Sequence, residues 1–336
     1  MTQKTKSNLM LLGAAFIWGS AFVAQKIGGD IGSLTFNGVR NIIGGLFLIP
    51  VAMIFSRPAD SYPGVSDRYQ MDQSEKRIYR KNLLLGGFLC GIMLCAASTL
   101  QQISISMTTA GRAGFITSLY AVMVPVLSIV LGKKVRPFIW ICVAVSILGL
   151  YMLSSETGTF RINLGDVLLT ISALLFAVHI MIIDHFTPLV NGVQMSCLQF
   201  IVAGVIGLIV MFVFEDPSMT AIWSSILPIL YAGVLSSGVA YTLQIVGLKG
   251  ADPSEASLLL CLESVFSMLT GMVVLHERMP LKGYIGCLLI FAAVAAAQVS
   301  PGILPWNRKK AVKTAAAVPA EEDNAGPADV VNERNL

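Results

Sequence analysis

Two charged side chains stand where the surrounding sequence is otherwise hydrocarbon: Arg40, inside the run Leu34 to Phe55, and Glu263, inside Ala256 to Leu275. A charge at the centre of a bilayer costs roughly 2.5–3.5 kcal/mol on insertion scales, which makes such a residue a functional candidate that wants a partner. The two could pair, or Glu263 could bind a proton or a cationic solute. The plainer alternatives are that Arg40 snorkels outward along its apolar stem and that Glu263 is a neutral, hydrogen-bonded packing residue. Aromatic, amide and hydroxyl groups recur at similar depth: Trp18, Ser20, Asn41, Thr99, Gln101, Tyr120, Gln199, Tyr241 and Gln244. One such group contributes only about 0.6 kcal/mol to a helix contact in a membrane, and packing accounts for any single one. Their number is more telling, because many unpaired polar groups cannot face lipid and a water-filled path between helices accommodates them. His179 adds an imidazole, a side chain suited to relaying protons, although a lone histidine is more often a packing residue.

Apolar helices have to position these groups. Of the 336 residues, 55% are hydrophobic and only 12% charged, against about 25% charged in ordinary soluble chains. Crossing about 30 Å of hydrocarbon takes roughly 20 apolar residues per helix. Ten stretches approach that length: Leu9 to Ala24, Leu34 to Phe55, Leu83 to Ile103, Gly111 to Leu131, Phe138 to Leu153, Gly165 to Ile183, Val193 to Phe214, Ile226 to Leu248, Ala256 to Leu275 and Leu281 to Val299. Turn chemistry separates them, including Gly28-Gly29-Asp30, Arg136-Pro137, Asp252-Pro253 and Met279-Pro280. Ser74 to Arg80 reads as a short surface helix. Lys4 and Lys6 precede the first stretch, which is expected to be a retained helix rather than a cleaved signal.

Short cytoplasmic loops collect lysine and arginine. With the N-terminus inside, Arg57, Arg68, Lys76, Arg77, Arg80 and Lys81, then Lys133, Lys134 and Arg136, and finally Arg308 to Lys313 all fall on the inner side. The opposite loops carry little more than Asp30, Arg112, Arg161, Glu215 and Asp216. Both termini are therefore expected in the cytoplasm.

The segment Thr99 to Ile147 recurs without a gap 143 residues later, as Thr242 to Ile290. Thr99 matches Thr242, Gln101 matches Gln244, Ala113 matches Ala256 and Pro137 matches Pro280, while Tyr120 falls on Glu263. Five helices is an odd number, so a second copy must enter the membrane upside down. Lys133-Lys134-Val135-Arg136 accordingly aligns with the nearly neutral His276-Glu277-Arg278-Met279, as an inverted pair requires. The expected fold is an all-α integral membrane protein of ten transmembrane helices arranged as two inverted five-helix repeats. Residues 1–8 form a cytoplasmic N-terminus, 9–155 and 162–300 the two repeats, and 301–336 a cytoplasmic tail too polar to order itself.

Enzyme chemistry has no foothold in the motifs. His276-Glu277 lacks the second histidine of a zinc-protease helix, and neither a phosphate-binding Gly-rich loop nor a Gly-x-Ser-x-Gly elbow occurs. The six cysteines have neither disulfide nor zinc spacing. No metal, cofactor or catalytic residue is expected. The net charge of +4 is spread over loops, not gathered on one face, so no nucleic-acid partner is expected.

Gly13-Ala14-Ala15-Phe16-Ile17-Trp18-Gly19-Ser20, Thr109 to Pro125, Leu262-Glu263 and the Glu277-Arg278 turn, in this order, resemble the EamA family of the drug/metabolite transporter superfamily. The resemblance spans about Leu9 to Ser300. It implies two EamA-type units around a central cavity and alternating access without ATP. The family usually has proline after the helix-nine glutamate; with Ser264 there, no proline imposes a helix break. Lys133-Lys134 likewise replaces a common Glu-Arg pair. The function expected is secondary active export of small metabolites such as amino acids across the cell (inner or plasma) membrane, driven by protons or by the solute's own gradient. Trp18, Ser20, Arg40, Asn41, Thr99, Gln101, Tyr120, His179, Gln199, Tyr241, Gln244 and Glu263 are the candidate substrate residues, and the lipid bilayer and a small solute the expected partners. A membrane-embedded enzyme or a receptor-like scaffold is the alternative; monomer and homodimer stay equally open.

Overall fold

The computed structural model describes residues 2–54, 73–154, 163–276 and 281–298. Outside them lie Arg57 and Arg68, Arg161, the Glu277-Arg278 turn with Met279-Pro280, and residues 299–336 with their basic cluster. Among the described residues there are helices and turns but no strand. The first part contains α1 (Gln3–Ile27), α2 (Ser33–Ile54), α3 (Gln73–Ile105), α4 (Ala110–Thr117), α5 (Tyr120–Val130) and α6 (Pro137–Ser154). The second contains α7 (Leu164–Phe186), α8 (Gly192–Phe214), the short α9 (Met219–Ser224) and α10 (Ile226–Leu230), a π-helical stretch over Tyr231–Ala240, then α11 (Tyr241–Leu248), α12 (Pro253–Leu260), α13 (Glu263–Val274) and α14 (Leu281–Gln298).

Counting α4–α5, α10–α11 and α12–α13 as single spans, eight helices among the described residues are long and apolar enough to cross a membrane. Two shorter apolar helices, Pro137–Met152 and Leu281–Ala297, accompany them. The apolar stretches of the sequence thus coincide with helices, because a long hydrocarbon run can satisfy its backbone only internally. Ser74 to Arg80 is no separate element but the first turns of α3, which runs for 33 residues. No glycine or proline interrupts Gln73 to Leu85, and nothing there stops a helix made of good helix formers. Large apolar side chains such as Met53, Phe214, Val273 and Leu288 face outward, where lipid would solvate them.

The interior is held by close backbone approach and by polar ties at helix ends. α2 and α8 meet through glycines: a Cβ on Gly38 would lie 3.0 Å from the Gly207 carbonyl oxygen, and one on Gly204 2.8 Å from the Ile42 backbone. Small residues at such contacts are how membrane helices gain packing energy.

Side-chain bonds sort the helix ends into two groups. At one end, Lys4 of α1 donates to Glu255 of α12 at 3.0 Å, and Arg136 pairs with the same carboxylate. Tyr79 of α3 donates to Gln194 of α8 at 2.7 Å, and Lys133 pairs with Asp184 of α7. At the other end, Lys26 donates to the Ile105 and Thr108 carbonyls at 3.1 and 2.6 Å, and Arg112 grips Asp166 through Nε and Nη2 at 2.9 and 2.7 Å. There too Glu215 caps α2, accepting from the N–H groups of Leu34 and Thr35 at 3.0 and 2.7 Å. Gly32 at φ 99° lets the chain turn against that carboxylate, since a Cβ there would come within 2.5 Å of it.

Candidate functional site

The span carrying Glu263 is broken immediately before it. α12 ends at Leu260, and the turn through Cys261 and Leu262 tightens into i→i+3 bonds, Leu262 N–H to the Leu259 carbonyl at 3.2 Å and Ser264 N–H to the Cys261 carbonyl at 3.1 Å. The same turn stands 143 residues earlier, where Leu119 N–H donates to Ile116 at 3.2 Å and Ala121 N–H to Ser118 at 3.0 Å. In the first copy Pro125, inside α5, removes a donor and crowds the Ala121 carbonyl. The second copy has no such proline, yet it breaks all the same. Ser264 hydroxyl donates to the Cys261 carbonyl at 2.7 Å, a side-chain substitute for the backbone bond that the break removes. With serine in place of proline the sequence put a helix break in doubt here, and the structure has one.

The two breaks bring their residues together. Glu263 occupies the first turn of α13, and Tyr120 that of α5. A helix N-terminus carries roughly half a positive charge, an environment suited to a carboxylate. Ser118, from the other break, donates to Glu263 Oε1 at 3.4 Å.

Between these elements lies a cavity of about 40 Å³. α1 contributes Trp18, Phe22 and Gln25, α2 contributes Arg40, and the α3–α5 region contributes Gln101, Thr117 and Tyr120. Facing them are Phe176 and Ile180 of α7, Ser236 of the π-helical stretch, Tyr241 and Gln244 of α11, and Glu263. Trp18 Nε1 donates to the Ser236 carbonyl at 3.3 Å, and its ring meets Tyr241 edge-on with centroids 4.6 Å apart. A π-helical stretch inside an α-helix often marks a functional site. Here it presents Ser236 and leads directly into Tyr241. Gln101 Nε2 donates to Thr117 at 3.3 Å. Arg40 and Glu263 are each only 4% exposed, and no ion pair joins them. Arg40 bonds to Asn37 and Glu263 to Ser118 instead. Burying these two polar heads apart costs free energy, an expense a fold tolerates where function needs it.

Of the candidates named from sequence, Trp18, Arg40, Gln101, Tyr120, Tyr241, Gln244 and Glu263 border this cavity. The structure does not bring Ser20, Asn41, Thr99, His179 or Gln199 to it. Ser20 faces the other side of α1, its hydroxyl 2.5 Å from that of Tyr231, beside a separate apolar cavity. Thr99 and Asn41 stand behind Arg40, both bonded to Asn37. His179 Nε2 lies 2.9 Å from Gln199 Oε1, one layer behind Tyr241, whose ring centroid is 6.0 Å from the imidazole. Phe22, Gln25, Thr117, Phe176, Ile180, Ser236 and Asn37 were missed. Trp18, Phe22 and Gln25 follow i, i+4, i+7 spacing, a helical stripe that could have identified them.

Close approach of α1 to α13 fixes where Glu263 sits. A Cβ on Gly19 would lie 2.4 Å from Phe266 Cβ, 2.7 Å from the Glu263 carbonyl oxygen and 2.8 Å from Ser267 N. Backbone cannot yield as a flexible side chain can, so Gly19→Ala is expected to cost about 1–3 kcal/mol, the usual penalty of overpacking. Gly13→Ala on the same helix is the control, since its Cβ would meet only Leu243 Cδ1 at 3.5 Å. Thermal unfolding in detergent should show the first variant lowered and the second unchanged.

Comparison with known proteins agrees with this architecture. The model of the EamA-like transporter family matches residues 5–155 and again 163–297. An uncharacterized transporter of Archaeoglobus fulgidus is 30% identical over 294 residues, covering 86% of this chain and 84% of the relative. The uncharacterized transporter YoaV of Bacillus subtilis is 22% identical over 302 residues, covering 86% and 95%. A solved crystal structure of a protein superposes with a TM-score of 0.67 at 17% identity, over 87% of this chain and 96% of that one, a likeness of fold. With one family model matching both stretches and a relative at this identity aligned over most of its length, the chain belongs to the EamA-like transporter family, within the drug/metabolite transporter superfamily.

Proposed function

We propose that this membrane transporter exports small zwitterionic metabolites, amino acids among them, by alternating access around the cavity between the two broken helices. The observation that carries the reading is that Arg40 and Glu263 border one buried cavity without bonding each other. A zwitterion brings a carboxylate for the first and an ammonium for the second, and the rings of Trp18, Tyr120 and Tyr241 offer an apolar wall. Either the proton gradient, through Glu263, or the solute's own gradient energises the cycle.

At about 40 Å³ the cavity has room for waters, each needing about 10–15 Å³ of such space, but not for a metabolite. A solute therefore enters only after one end opens. Ion pairs close both ends, Arg112 with Asp166 at one and Glu255 with Lys4 and Arg136 at the other. Arg112 and Glu255 are themselves 143 residues apart, so corresponding helix starts carry opposite charges. Breaking these ties in turn would expose the cavity first to one side and then to the other. The recurrence of the helix break and the two family matches support a pair of inverted five-helix units over 9–155 and 162–300. The end that gathers Lys4, Lys133, Lys134 and Arg136 suits the cytoplasmic side.

The test is counterflow in proteoliposomes, with parallel thermal unfolding against amino acids, sugars and nucleosides. A ligand at about 100 times its Kd adds about 2.7 kcal/mol to stability, so amino acids should raise the melting temperature and exchange across the vesicle. A response confined to sugars or nucleosides would overturn the zwitterion reading.

A further inference from the structure

Arg40 is tethered by one nitrogen. Its Nε donates to Oδ1 of Asn37, one turn earlier on α2, at 3.0 Å, and among the described residues Nη1 and Nη2 make no hydrogen bond. Asn37 is itself fixed. Its Nδ2 donates to Thr99 Oγ1 at 2.8 Å, and Asn41 Nδ2 also donates to its Oδ1, at 3.4 Å. The Arg40 bond fixes the amide's orientation, because the flipped form would set an NH₂ against the guanidinium donor. Asn37 is 1% exposed and lies behind the cavity wall, so it acts on a solute only through Arg40.

Guanidinium can grip a carboxylate along the Nε–Nη edge or through its two Nη groups, each a planar fork. Asn37 occupies Nε and leaves the two-Nη fork. The choice of asparagine also matters for charge. An aspartate at this place would accept the same bond but would neutralise Arg40, whereas the amide orients the guanidinium and leaves its charge uncompensated.

We propose that Asn37 is a positioning residue that reserves the Arg40 charge for a solute carboxylate and thereby sets the preference for amino acids over the corresponding amines. The inference rests on the reading of the cavity as a site for zwitterions. Phenylalanine and phenethylamine differ by that carboxylate alone, and proteoliposome exchange of both gives the test. The wild-type protein is expected to favour phenylalanine. Asn37→Asp should raise its KM by about 100-fold, the effect of losing a charge-assisted bond, with the KM for phenethylamine changed by less than about 3-fold. Asn37→Ser, too short to hold Nε yet uncharged, should raise the phenylalanine KM by about 10-fold and guards against a fold defect in the aspartate variant.

If wild type shows no preference for phenylalanine, the zwitterion reading falls and this proposal with it. If wild type prefers phenylalanine and both variants keep the same ratio, only the role of Asn37 falls. A purely structural residue would lower the flux of both solutes together, which would likewise overturn it.

Discussion

Glu263→Gln is expected to abolish or uncouple transport in reconstituted vesicles while the protein stays folded. Glutamine is nearly isosteric with a protonated glutamate, and its Oε1 can still accept from Ser118, which donates to Glu263 at 3.4 Å. Removing a titratable carboxyl from a residue only 4% exposed takes away the desolvation cost of its ionised form, so the melting temperature should hold or rise. What glutamine cannot supply is a negative charge for an ammonium group, or a site that binds and releases a proton. Two assays separate those roles. If Glu263 serves only coupling, exchange of solute across the membrane survives and proton-driven flux disappears. If it also binds the ammonium, both are lost. Unchanged proton-driven flux would remove Glu263 from the mechanism.

Arg40→Leu is the complementary case, and its expected effect is on affinity. Loss of one partner from a buried, hydrogen-bonded charge interaction costs about 2–5 kcal/mol, so the KM for an amino acid should rise by about 1.5 to 3.5 orders of magnitude. Stability should suffer less, because Asn41 still donates to the Asn37 Oδ1 that Arg40 vacates. The double variant with Glu263→Gln decides whether the two charges interact in the resting protein. Since no ion pair joins them, their effects on thermal stability should add within about 0.5 kcal/mol. A larger coupling, with the double variant more stable than the sum predicts, would mean that Arg40 and Glu263 do pair before any solute arrives. Transport losses should be far from additive, because both residues would hold the same molecule.

Much of the fold was legible in the chain. Apolar length placed the helices, because a span must satisfy its own backbone in hydrocarbon, and depth along those helices singled out Arg40 and Glu263. The 143-residue register located Tyr120 opposite Glu263, and the structure sets both at the starts of helices after matching breaks. The break itself was not legible. Proline is a visible cause of a broken helix, while the bond from Ser264 to the Cys261 carbonyl is one of several that a serine can make, and residue type does not choose among them.

Residue type and position along the apolar stretches belong to the sequence, and by themselves they singled out a set of polar groups inside otherwise apolar helices. Direction belongs to the tertiary structure. Trp18 and Ser20 are two residues apart on α1, yet about 200° of rotation at 100° per residue sends them to different cavities. Asn37 lies one turn from Arg40, but only the neighbouring α3, by supplying Thr99, makes it a tether rather than another buried amide. Which face of a helix meets which neighbour is settled by packing, at glycines such as Gly19 where two backbones touch. That choice depends on the shapes of residues distant in the chain, so no local pattern encodes it.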